Sequence, residues 1–150
     1  MHKGVNNGLE AKAYLKQVQK LDRMIENKLA EIEQWREMAT CTTQRLSADK
    51  VQSSPNPQKM ADAICKIVQI EGETDVLVDR LVDTKREVIK TLERLVSTEY
   101  DVLHKVYIQY MTFEEVAERK GKSYSWVKKV HQYGMQNLQK ILNEKEKQAG

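Results

Sequence analysis

Proline occurs twice and glycine six times in the 150 residues, and both prolines, Pro55 and Pro57, fall in one stretch. A chain so poor in backbone breakers, with 31% charged and 6% aromatic residues, is largely helical. Cysteine is equally scarce. Cys41 and Cys65 cannot staple a secreted scaffold of this size, so a reducing cytoplasm is the natural setting and both thiols are incidental. No uninterrupted apolar run approaches the roughly 20 residues that span a bilayer. The first residues, with His2 and Lys3, lack the apolar block of a signal peptide, so no membrane role is expected. There is no glycine-rich phosphate loop, no histidine-rich ligand set and no Ser or Cys nucleophile beside a credible base. Enzymatic function, metal and cofactor are therefore not expected.

What the chain does have is periodicity. Ala11, Tyr14, Val18, Leu21, Ile25, Lys28, Ile32, Trp35 and Ala39 recur at alternating spacings of three and four, the pattern of a coiled-coil seam. A second run passes through Met60, Ile64, Ile67, Glu71, Thr74, Val78, Leu81, Lys85, Val88, Leu92 and Leu95, broadened by Ile70, Leu77, Val82, Ile89 and Val96. Residues 40–56 between them are rich in Ser, Thr and Gln, and Pro57 suits a first helical position, so a linker and an antiparallel return are predicted. Counting from the linker ends sets Lys28 opposite about residue 69, close enough to Glu71 for these two polar seam residues to meet and help fix register. About 32 residues before the linker give roughly 48 Å of helix and about 41 after it roughly 62 Å. The second helix should then overhang, leaving its apolar end, Val88 to Val96, to pack on the following domain or on another copy. A homodimer and an intramolecular hairpin both satisfy the seam.

The last third carries a helix-turn-helix pattern. Val116 and Ala117 lie on a first helix, Gly121 at the turn, and Val127 and Val130 on a second. The small Ala117 permits a close crossing and Gly121 a left-handed backbone. Thr112 with Glu115 has capping-box spacing for a helix starting at Phe113, and Ser123 suits the cap of one starting at Tyr124. A stripe of Val127, Val130, Gly134, Leu138 and Ile141 leaves Ser125, Lys129, Gln132 and Gln136 facing outward, with Lys128 beside them. From Arg119 to His131 there are five Lys or Arg and no carboxylate, although the whole chain is only +3. A basic run alone is usually a solvated face; within a complete helix-turn-helix it reads as a DNA-binding surface. The expected DNA-binding residues are Lys122, Ser123, Tyr124, Ser125, Lys128, Lys129 and Gln132. Of these, Ser125, Lys129 and Gln132 are placed to reach base edges, Tyr124 to meet a phosphate, and Lys122, Lys128 and Lys129 to fix backbone register. Trp126 suits packing, and His131, with no other ligand nearby, a structural position.

Asp101, Val102, Leu103, Tyr107, Thr112, Phe113, Glu114, Glu115, Val116, Ala117 and Gly121 to Val127 together resemble region 4 of primary-type bacterial sigma factors, from Glu99 to Leu142. The resemblance implies a recognition helix that docks in the major groove of a promoter, double-stranded DNA as partner, and RNA polymerase as a further one. Tyr110 stands where the family usually has Gly and Lys105 where it has an apolar residue, which predicts a helical loop before Thr112. Tyr124, Ser125 and Trp126 replace the common Arg and Glu, so the −35 preference does not carry over. Nothing resembles the region that melts the −10 element. The whole organisation is similar to small phage-encoded late transcription regulators of Gram-positive bacteria. A small-terminase-like packaging protein and a protein-interaction module that never touches DNA are the alternatives. The expected fold is all-α: a flexible start (1–8), a long-helix coiled-coil hairpin (9–98) with its linker (40–56), a helix-turn-helix domain (99–143) and a flexible tail (144–150).

Overall fold

The computed structural model describes residues 7–48 and 57–149, with side chains described for 10–40 and 57–149. The described residues form five helices and no strand: α1 (Asn7–Ala48), α2 (Pro57–Leu92), α3 (Ser97–Tyr107), α4 (Phe113–Lys120) and α5 (Tyr124–Ala149). The fold is all-α, a long-helix hairpin followed by the helix-turn-helix. The expected flexible start lies outside the described residues apart from Asn7 and Gly8, with which α1 begins.

Three predicted boundaries move. Residues 40–48 of the expected linker are helical, because Thr40 to Ala48 contains neither Gly nor Pro and the Thr40 hydroxyl folds back onto the Arg36 carbonyl at 2.9 Å. The rest of that linker, 49–56, is outside the described residues. At 42 residues α1 is longer than the 36-residue α2, reversing the expected inequality. Helix α2 stops at Leu92, where the amides of Arg94 and Leu95 bond to Thr91 and Leu92 in a tight turn, allowing Leu92 and Leu95 both to be buried. Residues 144–149 of the expected tail are the last part of α5, held by Lys145 on the Thr91 hydroxyl at 2.5 Å and by Glu144 on Arg94 at 3.3 Å.

The chain divides into two compact units, Leu21–Arg80 and Met1–Lys20 with Leu81–Gly150. That division differs from the expected one at residue 98. In the first unit α1 buries Leu21, Ile25 and Ile32, the predicted seam, while α2 buries Ala63, Ile70, Thr74 and Leu77. The α2 face is rotated from the prediction. Met60, Ile64 and Val78 are exposed and Glu71 pairs at the surface with Arg36 at 3.8 Å. Ile67 and Thr74 belong to both possible faces; the face chosen has no charge to desolvate, whereas the other would bury Glu71. The Thr74 hydroxyl bonds the Ile70 carbonyl at 2.7 Å, so its burial leaves no orphan.

Lys28 accordingly meets Glu73 at 2.7 Å and not Glu71. The hydrogen bond between them raises the Lys28 pKa and lowers that of Glu73. Lys28→Glu alone should lower the melting temperature at pH 7 by like-charge repulsion, and exchanging both residues should restore it. Thermal denaturation of the two single variants and the exchange checks this; an exchange no better than the singles would count against the pairing.

In the second unit one core joins four helices: Leu15 and Val18 of α1, Val88 and Leu92 of α2, Leu103 and Tyr107 of α3, and Leu138 and Leu142 of α5. Val88, Leu92 and Leu95 of the expected apolar end are therefore covered, by α1 as well as by the helix-turn-helix domain, whereas Val96 is exposed. Helices α3 and α5 cross at Gly134, where an added Cβ would stand 3.2 Å from Leu103 Cδ1. Buried Gln139 ties α1 to the same crossing, its Oε1 accepting the Ala11 amide at 2.9 Å.

Candidate nucleic-acid interface

The helix-turn-helix is assembled by local chemistry at each predicted position. Thr112 caps α4, its hydroxyl accepting the Glu115 amide at 3.2 Å. Gly121 closes it at φ 64 and ψ 36, and the Lys122 amide reaches the Ala117 carbonyl at 3.0 Å. That pattern needs a left-handed residue just past the helix. Ser123 then caps α5, its hydroxyl accepting the Trp126 amide at 3.1 Å. Val116, Ala117 and Val127 are buried with Val102 of α3, and Val130 and Trp126 pack on that cluster.

The loop ahead of α4 departs from expectation. Ile108 to Thr112 is not helical, and Tyr110 itself takes the left-handed conformation at φ 59. For a residue with a Cβ this costs roughly 1–2 kcal/mol. The flanking packing imposes it: Tyr107 and Ile108 are buried in the unit's core, while Thr112 is fixed as a cap.

Lys105, polar where the resemblance implies an apolar residue, bonds Asp101 at 2.6 Å, and Lys120 from the end of α4 takes the other oxygen of the same carboxylate. Sequence reasoning missed this lock. The i, i+4 spacing of Asp101 and Lys105 was a visible signal; nothing local marked Lys120. Burial pushes the Asp101 carboxyl up, but the hydrogen bonds from Lys105 and Lys120 hold it below the ordinary value. With its folded pKa below the unfolded one, Asp101 stabilises the fold above an unfolded pKa near ~3.9, and this is lost as pH falls through the folded value. Asp101→Asn should thus lower stability at pH 7 and flatten the loss on acidification. Urea unfolding at a series of pH values tests it, and an unchanged acid limb would rule the lock out as a contributor.

With Lys120 engaged by Asp101, the basic run resolves into distinct roles. Lys122 lies over the Trp126 ring, 5.4 Å from its centroid. Tyr124 is 47% exposed and its ring tilts against Phe113 at 6.0 Å. Ser125, Lys128, Lys129, Gln132 and Gln136 are all exposed along α5. Among the described residues neither Lys128 nor Lys129 has an ion-pair partner. His131 is turned inward: its Nε2 shares a hydrogen bond with the Tyr107 hydroxyl at 2.8 Å and its ring packs on Phe113 at 4.8 Å. Burial, and then the charge of Lys12, lowers its pKa. No cluster of potential metal ligands occurs among the described residues.

A short capped helix, a left-handed glycine turn and a second helix with an open basic face define a DNA-binding helix-turn-helix domain. Residues 91–140 match the family described as Sigma-70, region 4. The C-terminal domain is sigma region 4-like, in agreement with the resemblance read from the sequence. The chain matches no curated protein and no solved structure. No helix among the described residues is long and apolar enough to cross a membrane.

Proposed function

We propose that the chain is a sequence-specific transcription regulator that sets α5 into the major groove of a promoter. The observation that carries this reading is the exposed face of α5 from Ser125 to Gln136, rich in lysine and amide groups and without an ion pair among the described residues, on a sigma region 4-like domain. Ser125, Lys129 and Gln132 read base edges; Lys122, Lys128, Lys129 and Tyr124 hold phosphates, and Ser123 orders the first turn of the helix. The long helices present this domain to RNA polymerase or to a second copy bound at a paired half-site. On this reading, which the resemblance of the whole organisation to small phage-encoded late regulators supports, the protein works in the host bacterial cytoplasm and activates late genes by recruitment. No catalysis is assigned to it.

Footprinting of the purified chain on promoter fragments, with and without host RNA polymerase, tests this. The expected result is a short protected site adjoining the polymerase footprint and increased polymerase occupancy when both are present. Uniform protection along the DNA, joined to a solution mass of eight or more copies, would instead assign a packaging ring. Polymerase binding with no DNA protection would assign an interaction module.

A further inference from the structure

The basic surface continues past the helix-turn-helix. Lys12 of α1 faces α5 across an open groove of about 810 Å³, and both belong to one compact unit. Lys128 and Lys140 line this groove on α5, Phe113 and Met135 line it with apolar surface, and its lining contains no carboxylate. Lys12 is held at this edge by its neighbours. The preceding amide, that of Ala11, is bonded to buried Gln139 at 2.9 Å, and Ala11, Leu15 and Val18 are fully buried. Glu10, the nearby acid on the same turn, is engaged by the Gln139 amide at 3.0 Å. The effect of Lys12 on His131 agrees with this placement.

Charge and spacing say what fits there. In the same unit Lys105 and Lys120 share the Asp101 carboxylate, and Arg94 pairs with Glu144. Lys12, Lys128 and Lys140 have no carboxylate within ion-pair distance among the described residues. Three unpaired ammonium groups around one concave surface suit a polyanion. Lys128 and Lys140 are separated by about 18 Å along the helix, more than the roughly 12 Å width of a major groove. A helix that seats its first turns, with Ser125 and Lys129, among bases therefore carries Lys140, with Lys12 opposite, to the groove edge and the sugar-phosphate backbone. The apolar side chains in the lining suit deoxyribose faces, and the amide group of Gln136 is a donor for phosphate oxygens.

We infer that Lys12 and Lys140 grip the sugar-phosphate backbone flanking the site read by α5, making the N-terminal helix part of the DNA-binding surface. The inference rests on the DNA-binding reading above. The experiment is fluorescence anisotropy of the full chain on a mixed-sequence duplex of roughly 30 base pairs, repeated across roughly 50 to 200 mM KCl. Each phosphate contact contributes about 0.9 to the slope of log affinity against log salt. Lys12→Gln and Lys140→Gln should each lower that slope by about this amount and weaken binding about eightfold at about 0.1 M salt. Lys12→Arg should retain both. If Lys12→Gln leaves the slope of a DNA-binding wild type unchanged, the inference falls while the helix-turn-helix reading stands; this is also the outcome if the groove takes an acidic helix of a protein partner. Weaker binding with an unchanged slope, or with a lowered melting temperature that Lys12→Arg shares, would mark a structural role and overturn it. A wild type that binds no duplex removes both readings together.

Discussion

The double variant Lys128→Glu with Lys129→Glu is expected to abolish measurable duplex binding while leaving the thermal unfolding transition where it is. Both side chains are exposed, and neither has an ion-pair partner among the described residues. Their replacement therefore breaks nothing inside the protein. Two lost phosphate contacts alone remove about 1.8 from the salt slope, close to two decades of affinity at about 0.1 M salt. Reversal of charge adds repulsion from the same phosphates, so the total loss should exceed roughly 100-fold. Anisotropy titration beside a melting curve separates the two effects. Lost binding with an intact transition locates the interface on this face of α5, whereas full binding by the double variant would exclude that face as the contact surface.

The parts of this face legible in the sequence are those fixed by interactions a few residues long. Thr112 and Ser123 announce their helices because a hydroxyl before a helix meets an amide of its first turn. Gly121 announces the turn because the backbone there is left-handed. Val116, Ala117 and Val127 follow once both helices are placed, since their spacing selects one buried stripe. On α1 the seam was equally plain, with Leu21, Ile25 and Ile32 buried as the period demands.

Periodicity loses its discrimination on α2, where apolar residues flank Ile67 and Thr74 on both sides. The choice between flanks depended on which would desolvate a carboxylate, and this displaced the partner of Lys28 from Glu71 to Glu73. The end of α2 at Leu92 was hidden for another reason. Thr91 to Val96 contains no Gly or Pro, and the break serves the burial of Leu92 and Leu95 beside Leu103 and Leu138. Tyr110 adopts a conformation its own chemistry disfavours because the elements on either side are already anchored. Gln139 and Lys12 were invisible as members of one surface. Gln139 makes its bond to Ala11 across 128 residues, and only the folded core brings Lys12 to the recognition helix.

That core supplies the other large expected effect. Leu103 is fully buried where α3 crosses α5, and Gly134 is the residue that lets it sit there. A Cβ at position 134 would lie 3.2 Å from Leu103 Cδ1, 3.3 Å from Cγ and 3.4 Å from Glu99 Cβ. Leu103→Ala should reduce unfolding stability by about 2–5 kcal/mol, through lost burial and the cavity left behind. Gly134→Val relieves a helix of its glycine by a few tenths of a kcal/mol but overpacks the crossing, which typically costs about 1–3 kcal/mol. Overpacking wins, so this variant is also destabilised. Combined, the valine methyl groups occupy space vacated by the leucine, and the double variant should lose less than the two singles added together. A coupling of roughly 1 kcal/mol or more in urea denaturation is expected for residues in direct contact. Because the same crossing aims the N-terminal half of α5, duplex binding by each variant should follow its folded fraction. Additivity within about 0.5 kcal/mol would show that Gly134 is not what sets the approach of α3 to α5.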